Sequence, residues 1–121
     1  MRKAAGKKSY DYKADVLYVS LFDRSFDHSE HFEQFILDYD ANGEIVGLEI
    51  LDVSVLFKCP KQALVDLDEL VLEVEILEDA MRIDATLKSY VRNRRRDTVF
   101  TLERVRPEHL HPSKGLALCV S

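Results

Sequence analysis

The clearest signal in this chain is a hydrophobic period of two. Leu70, Leu72, Val74 and Ile76 alternate with Val71, Glu73, Glu75 and Leu77. Met81, Ile83, Ala85, Leu87, Ser89 and Val91 alternate in the same way with Arg82, Asp84, Thr86, Lys88, Tyr90 and Arg92. Successive strand side chains point to opposite faces, so the pattern predicts two long strands, each with one buried and one wet face. A two-residue turn at Glu78-Asp79 pairs Ile76 with Met81, Val74 with Ile83 and Leu72 with Ala85. It also sets Glu75 opposite Arg82 and Glu73 opposite Asp84. A second turn across Asn93 to Arg96 pairs Arg92 with Asp97, Leu87 with Leu102 and Ser89 with Phe100. Residues 70–106 thus read as a three-stranded antiparallel meander.

The first half reads as a second meander. Val16 to Phe22 is β-branched and aromatic, a good strand, and Asp23 to Glu30 is a polar turn or loop. Phe32 to Tyr39 is apolar and fits either strand or helix. Asp40-Ala41-Asn42-Gly43 is a turn signal, because Asn and Gly tolerate positive φ. Ile45 to Leu51 then alternates as a strand. Between the halves, Asp52 or Ser54 suits a cap for a short helix over Val55-Leu56-Phe57. Pro60 suits the first position of a turn over Lys61 to Val65.

The expected fold is therefore α+β and rich in strand. Two antiparallel three-stranded meanders, residues 10–54 and 70–106, are joined by a short helical connection over 55–69 in a single domain spanning 10–106. Residues 1–9 read as a basic tail. Pro107 and Pro112 break regularity, so residues 107–121 read as a second tail, whose end, Leu116 to Val120, is apolar enough to dock or to recruit a partner. A chain of 121 residues with 46% hydrophobic and 32% charged positions suits one globular core and excludes a disordered chain. No apolar run approaches the about 18 residues of a membrane helix, so no membrane association is expected. The basic start leads into Ser9-Tyr10-Asp11 rather than an apolar stretch, which argues against a secretory leader. With only Cys59 and Cys119 there is no disulfide framework, and the expected location is the cytoplasm.

The net charge of −5 conceals an uneven layout. Residues 10–54 hold eleven acidic side chains against Lys13 and Arg24, whereas residues 88–106 hold seven basic ones against Asp97 and Glu103. Such asymmetry fits an acidic face and a basic face with charged partners, and equally two halves that attract each other.

Two segments carry a resemblance. Tyr10-Asp11-x-x-Ala14-Asp15-Val16-Leu17-Tyr18-Val19 is the first. The second is Ile36-Leu37-Asp38-Tyr39-Asp40-x-x-Gly43-x-Ile45-Val46-Gly47-Leu48-Glu49-Ile50-Leu51-Asp52-x-Ser54. Together, over residues 10–54, they resemble the domain of unknown function 2283 family of bacteria and archaea. Val53 departs from the alanine usual before the serine. The resemblance implies no enzyme activity and no catalytic residues. It implies a cytoplasmic binding protein, in concrete form an antitoxin-like partner of a basic protein.

Three constellations could carry chemistry. Asp38-x-Asp40-x-Asn42-Gly43, closed by Glu49, fits the calcium-loop pattern of an EF-hand, with Asp38, Asp40, Asn42 and Glu49 as oxygen ligands. The same residues suit a hairpin turn, and Ile45-Val46-Gly47-Leu48 leaves the loop as a strand. In that case Glu49 lies too far along the chain to close the site. The second constellation is basic: Lys88, Tyr90, Arg92, Arg94, Arg95 and Arg96 could grip a nucleic-acid backbone or a partner, with Tyr90 for stacking. Charged hairpin tips also serve simply to discourage edge pairing. Third, His28-x-x-His31 and His109-x-His111 have zinc-like spacing but fall in polar segments, where solvated surface is the better reading.

The sequence holds no phosphate-binding glycine loop and no recognisable nucleophile with its base. It therefore points to a non-enzymatic protein-interaction module, with calcium binding or RNA binding as alternatives. A homo-oligomer is also compatible, since open sheets leave edges.

Overall fold

The computed structural model describes residues 4–21, 25–106, 108 and 113–120. The elements run β1 (Ala4–Asp11), β2 (Val16–Leu21), β3 (His28–Phe32), β4 (Phe35–Tyr39), β5 (Ile45–Leu51), α1 (Val53–Leu56), α2 (Lys61–Val65), β6 (Leu67–Ile76), β7 (Ala80–Val91), β8 (Arg94–Val105) and β9 (Ser113–Val120). All nine strands join one sheet in the order β3-β4-β5-β2-β1-β9-β6-β7-β8. Of the described residues 66% are in strands and 8% in helices, and the sheet curls into a half-barrel.

This corrects the expected α+β fold of two three-stranded meanders joined by a helical segment. The segments read as tails supply the seam instead. β1 pairs antiparallel with β2 and, through Ala4 with Leu118 and Ala5 with Cys119, parallel with β9. β9 in turn pairs antiparallel with β6, setting Leu70 opposite Val120, Leu72 opposite Leu118 and Val74 opposite Leu116. Leu116, Leu118 and Val120 are all buried. Burying each such side chain contributes roughly 2 kcal/mol, which holds the C-terminal strand at the middle of the sheet. In the first half β5 lies between β4 and β2, so β2 does not touch β4. His28–Phe32, read as polar loop and ambiguous segment, forms the edge strand β3.

The second half keeps its meander. The β6–β7 register is the expected one, from Ile76 with Met81 to Leu72 with Ala85. The β7–β8 turn differs: it is the two-residue turn Arg92-Asn93, both at positive φ (53° and 62°), rather than Asn93 to Arg96. Positive φ at both central residues matches the twist of paired strands. The shift sets Leu87 opposite Thr98 and Ile83 opposite Leu102. Because the slip is an even number of residues, the buried face of β8 is unchanged.

Curling brings the inner faces of the two halves together. Leu17, Phe35, Leu37, Leu48 and Ile50 meet Leu70, Leu72, Ile83, Leu87 and Leu118 in one core. α1 and α2 cover it with Val53, Ala63 and Leu64, and Phe57 packs on Phe100 with ring centres 4.5 Å apart. The far edges approach closely enough for Glu33, after β3, to meet Arg104 of β8 at 4.0 Å. Among the described residues no helix is long and apolar enough to cross a membrane.

Candidate functional site

The outer face of the first half carries a cleft. Strand pairing sets two transverse rows of outward side chains. One runs Ser29, Asp38, Gly47, Ser20, Lys7 across β3, β4, β5, β2 and β1, and the next runs His31, Ile36, Glu49, Tyr18, Ser9. Gly47 sits mid-row without a side chain, which leaves a slot between Asp38 and Ser20. A bulge between Asp38 and Tyr39 turns Val46 into the same slot, and Val46 is buried there. The cleft encloses about 430 Å³, and the partly exposed rings of Tyr18 and Phe26 help wall it.

The acids at its centre are Asp38 and Glu49, diagonal neighbours on β4 and β5. Ser29 Oγ donates to Asp38 Oδ1 at 2.6 Å and holds that carboxylate in place. Burial, reinforced by the negative charge of Asp38, pushes the Glu49 carboxyl above its ordinary range. Two like charges on the walls of a mostly apolar cleft favour either a shared proton or a cation between them. Lys7 and Lys8 line the β1 end of the cleft, with Lys7 three strand spacings from Asp38, about 14 Å at the usual separation.

The calcium-loop pattern is thereby divided. Residues 45–51 form strand β5, so Glu49 is carried away from the turn. At the turn, Asp40 Oδ1 accepts from the backbone N–H of Asn42 (2.9 Å) and Glu44 (3.0 Å), and Gly43 N–H donates to Asp40 O (3.0 Å). These are hairpin contacts. Asp38 and Glu49 meet on the sheet face, while Asp40 and Asn42 stay at the turn. Among the described residues no group of three or more His, Cys, Asp or Glu side chains is placed to hold a metal ion.

The basic constellation is divided as well. Tyr90 lies opposite Arg95 and Lys88 opposite Asp97, all on the outer face. Arg94 and Arg96 pair with Val91 and Ser89 on the other face, and Arg92 forms the turn. Lys88 lies 3.9 Å from Glu69, and Arg95 Nε donates to Asp97 at 3.3 Å, so acids offset part of the patch. The histidines do not converge either. His28 stacks on Tyr39 at 5.2 Å, His31 Nε2 donates to Glu33 O at 2.7 Å, and His109 and His111 lie outside the described residues.

Beneath this face, Asp15 ties the β1–β2 turn to α1. It is buried at positive φ and accepts hydrogen bonds from Tyr10 Oη (2.8 Å), Ser54 Oγ (2.6 Å) and Ser54 N (3.2 Å). Burial alone would raise its carboxyl, but the hydrogen bonds from Ser54 and Tyr10, with the Lys61 charge, hold it below the ordinary range. Ser54 therefore bonds to Asp15, and α1 begins at Val53, its N-cap residue Asp52 making no side-chain cap. The motif residues Tyr10, Asp15 and Ser54 act in concert as a structural clasp.

Residues 7–54 match the family described as Protein of unknown function (DUF2283). The matched stretch contains the whole clasp and every residue of the cleft, whereas β6 to β9 lie beyond it. An uncharacterized protein of Methanocaldococcus jannaschii, MJ0789, is 36% identical over 55 residues, covering 46% of this chain and 47% of that protein. The chain thus spans about half the length of the relative it matches. No solved structure matches the chain.

Sequence reasoning found Asp38 and Glu49 but joined them through a loop, when the sheet register joins them. It missed Ser29, whose strand looked like polar loop, and Gly47, whose lack of a side chain opens the slot. The polar positions Tyr18 and Ser20 within an otherwise apolar strand were the available signal for this face.

Proposed function

We propose that the protein is a non-enzymatic interaction module whose outer-face cleft receives a basic side chain of a partner protein. The observation that carries this reading is the Asp38–Glu49 pair in a mostly apolar cleft, whose lysines, Lys7 and Lys8, line its far β1 end and leave the Glu49 carboxyl raised. A lysine or arginine end would relieve the repulsion between the two carboxylates. Its aliphatic stem would lie along Val46, Tyr18 and Phe26. The acidic surplus of residues 10–54 would speed encounter with a basic protein, which affects association rate more than affinity. An antitoxin-like role is one biological form such a module could take.

The test is a titration of isotope-labelled protein with an arginine-containing peptide, followed by amide-resolved NMR. Saturable shifts centred on Gly47, Glu49 and Ser20, lost in Asp38→Asn and Glu49→Gln, are expected. Shifts spread evenly over all acidic residues, or unchanged in both variants, would overturn the reading. A saturable response to calcium alone at the same amides, with none to the peptide, would replace it with a cation site.

A further inference from the structure

The outer edge of β8 is a second feature, independent of the cleft. β8 is 12 residues long and ends the sheet, and among the described residues no strand pairs with its free side. Its middle, Thr98-Val99-Phe100-Thr101-Leu102, is β-branched, aromatic or leucine throughout, with Val99 73% exposed. A long edge of this composition presents unpaired N–H and C=O groups ready to accept another strand.

The direction of those groups follows from the hairpin. Val91 and Arg94 flank the two-residue turn, and Arg106 N–H donates to Asp79 O across the strand pair. Even-numbered residues of β8 therefore bond to β7. The backbone groups of Arg95, Asp97, Val99, Thr101, Glu103 and Val105 point outward.

We propose that two copies of this chain pair antiparallel through their β8 edges, with Val99 on the two-fold axis. Self-pairing of one strand about a two-fold is defined by the residue on the axis. With Val99 there, Arg95 of each copy lies opposite Glu103 of the other, twice per dimer, and Asp97 lies opposite Thr101. Moving the axis to lie between Val99 and Thr101 sets Asp97 against Glu103, like charge on like. Moving it to Thr101 sets Val99 against Glu103, Asp97 against Val105 and Arg96 against Arg106, with no opposite-charge pair along β8. Among these three registers, charge complementarity favours the one with Val99 on the axis. Local contacts must yield or be shared: Arg95 Nε with Asp97 at 3.3 Å, Glu103 with Arg82 at 3.6 Å and Arg104 with Glu33 at 4.0 Å. Arg104 Nη1 donates to the outward Glu103 carbonyl at 2.9 Å and would swing away, and Arg94 would face Arg104 of the other copy near the solvated ends. Both arginines are exposed, so reorienting them costs little.

The experiment is sedimentation velocity of the full chain across a range of concentrations, with circular dichroism to check the fold of each variant. A concentration-dependent dimer is expected. Glu103→Arg and Arg95→Glu should each weaken it about tenfold, since each turns two attractive pairs into repulsive ones. The double variant Arg95→Glu/Glu103→Arg should restore it. Glu103 also meets Arg82 at 3.6 Å, so if Glu103→Arg unfolds, Arg95→Glu and a further variant, Thr101→Pro, which deletes one outward N–H, test the same edge. A monomer at every concentration would overturn the proposal. So would a dimer indifferent to these changes, or losses that add in the double variant instead of cancelling.

Discussion

Ser54 closes on Asp15 from 39 positions away, its hydroxyl 2.6 Å from Asp15 Oδ2. Tyr10 completes the arrangement from β1, so one carboxylate joins a strand, a turn and the start of a helix. Removing it leaves two hydroxyls and a backbone N–H without their acceptor. Asp15→Ala should cost about 3 kcal/mol in urea unfolding, with Tyr10→Phe costing about 1 kcal/mol.

The same clasp gives a pH signature. The Asp15 carboxyl sits lower in the folded chain than its ordinary 3.8. Its contribution is therefore fully present above that value and is lost as pH falls through the folded value. The stability gap between the wild type and Asp15→Ala should be constant near neutrality and should narrow below about pH 4. Urea midpoints taken along a pH series check this, and a gap that persists at the acid end would contradict it.

Glu49 should behave in the opposite sense. Burial and the Asp38 charge raise its carboxyl above 4.5, so folding favours the protonated form. Its stabilising contribution is present below the unfolded value and is lost as pH rises through the folded one. Glu49→Gln is expected to raise stability at pH 7 by under about 1 kcal/mol while weakening capture of a basic peptide. Thermal unfolding and the peptide titration read the two effects separately.

Gly47→Ala tests whether the slot matters. The added Cβ would stand 3.0 Å from Asp38 Oδ2 and 3.2 Å from Val19 O. The flexible carboxylate end can give way, the backbone carbonyl less so. A loss of about 1 kcal/mol is expected. Peptide affinity should fall about tenfold as Asp38 is displaced from Ser29, since a hydrogen bond to a carboxylate is of that order.

Gly115→Ala tests the place of β9. Gly115 has φ +82°, and an added Cβ would lie 1.9 Å from the carbonyl oxygen of Val74. Backbone would meet backbone, with no side chain to yield. The variant should lose at least about 3 kcal/mol and unfold near ambient temperature, as circular dichroism would show. A merely ornamental tail would tolerate the change.

By itself the sequence determined the strands with one wet face. Alternation from Leu70 to Val91 set their faces, and the two-residue turn at Glu78-Asp79 set their register, which buries Leu72, Val74 and Ile83. It also marked Asp38 and Glu49 as candidate ligands, Ser54 as a helix-cap candidate, and Asp15 within the family-like motif. Only the tertiary structure decided what they meet. Asp38 and Glu49 are diagonal neighbours because β4 and β5 pair with Asp38 opposite Gly47 and Ile36 opposite Glu49, and Asp15 meets Ser54 because the β1–β2 turn and α1 arrive at the same place. The same holds for Leu116, Leu118 and Val120, whose short apolar run carries no mark of its neighbours. Pairing between strands distant in sequence depends on which open edges a curled sheet leaves within reach, and that is a property of the whole fold rather than of any local pattern.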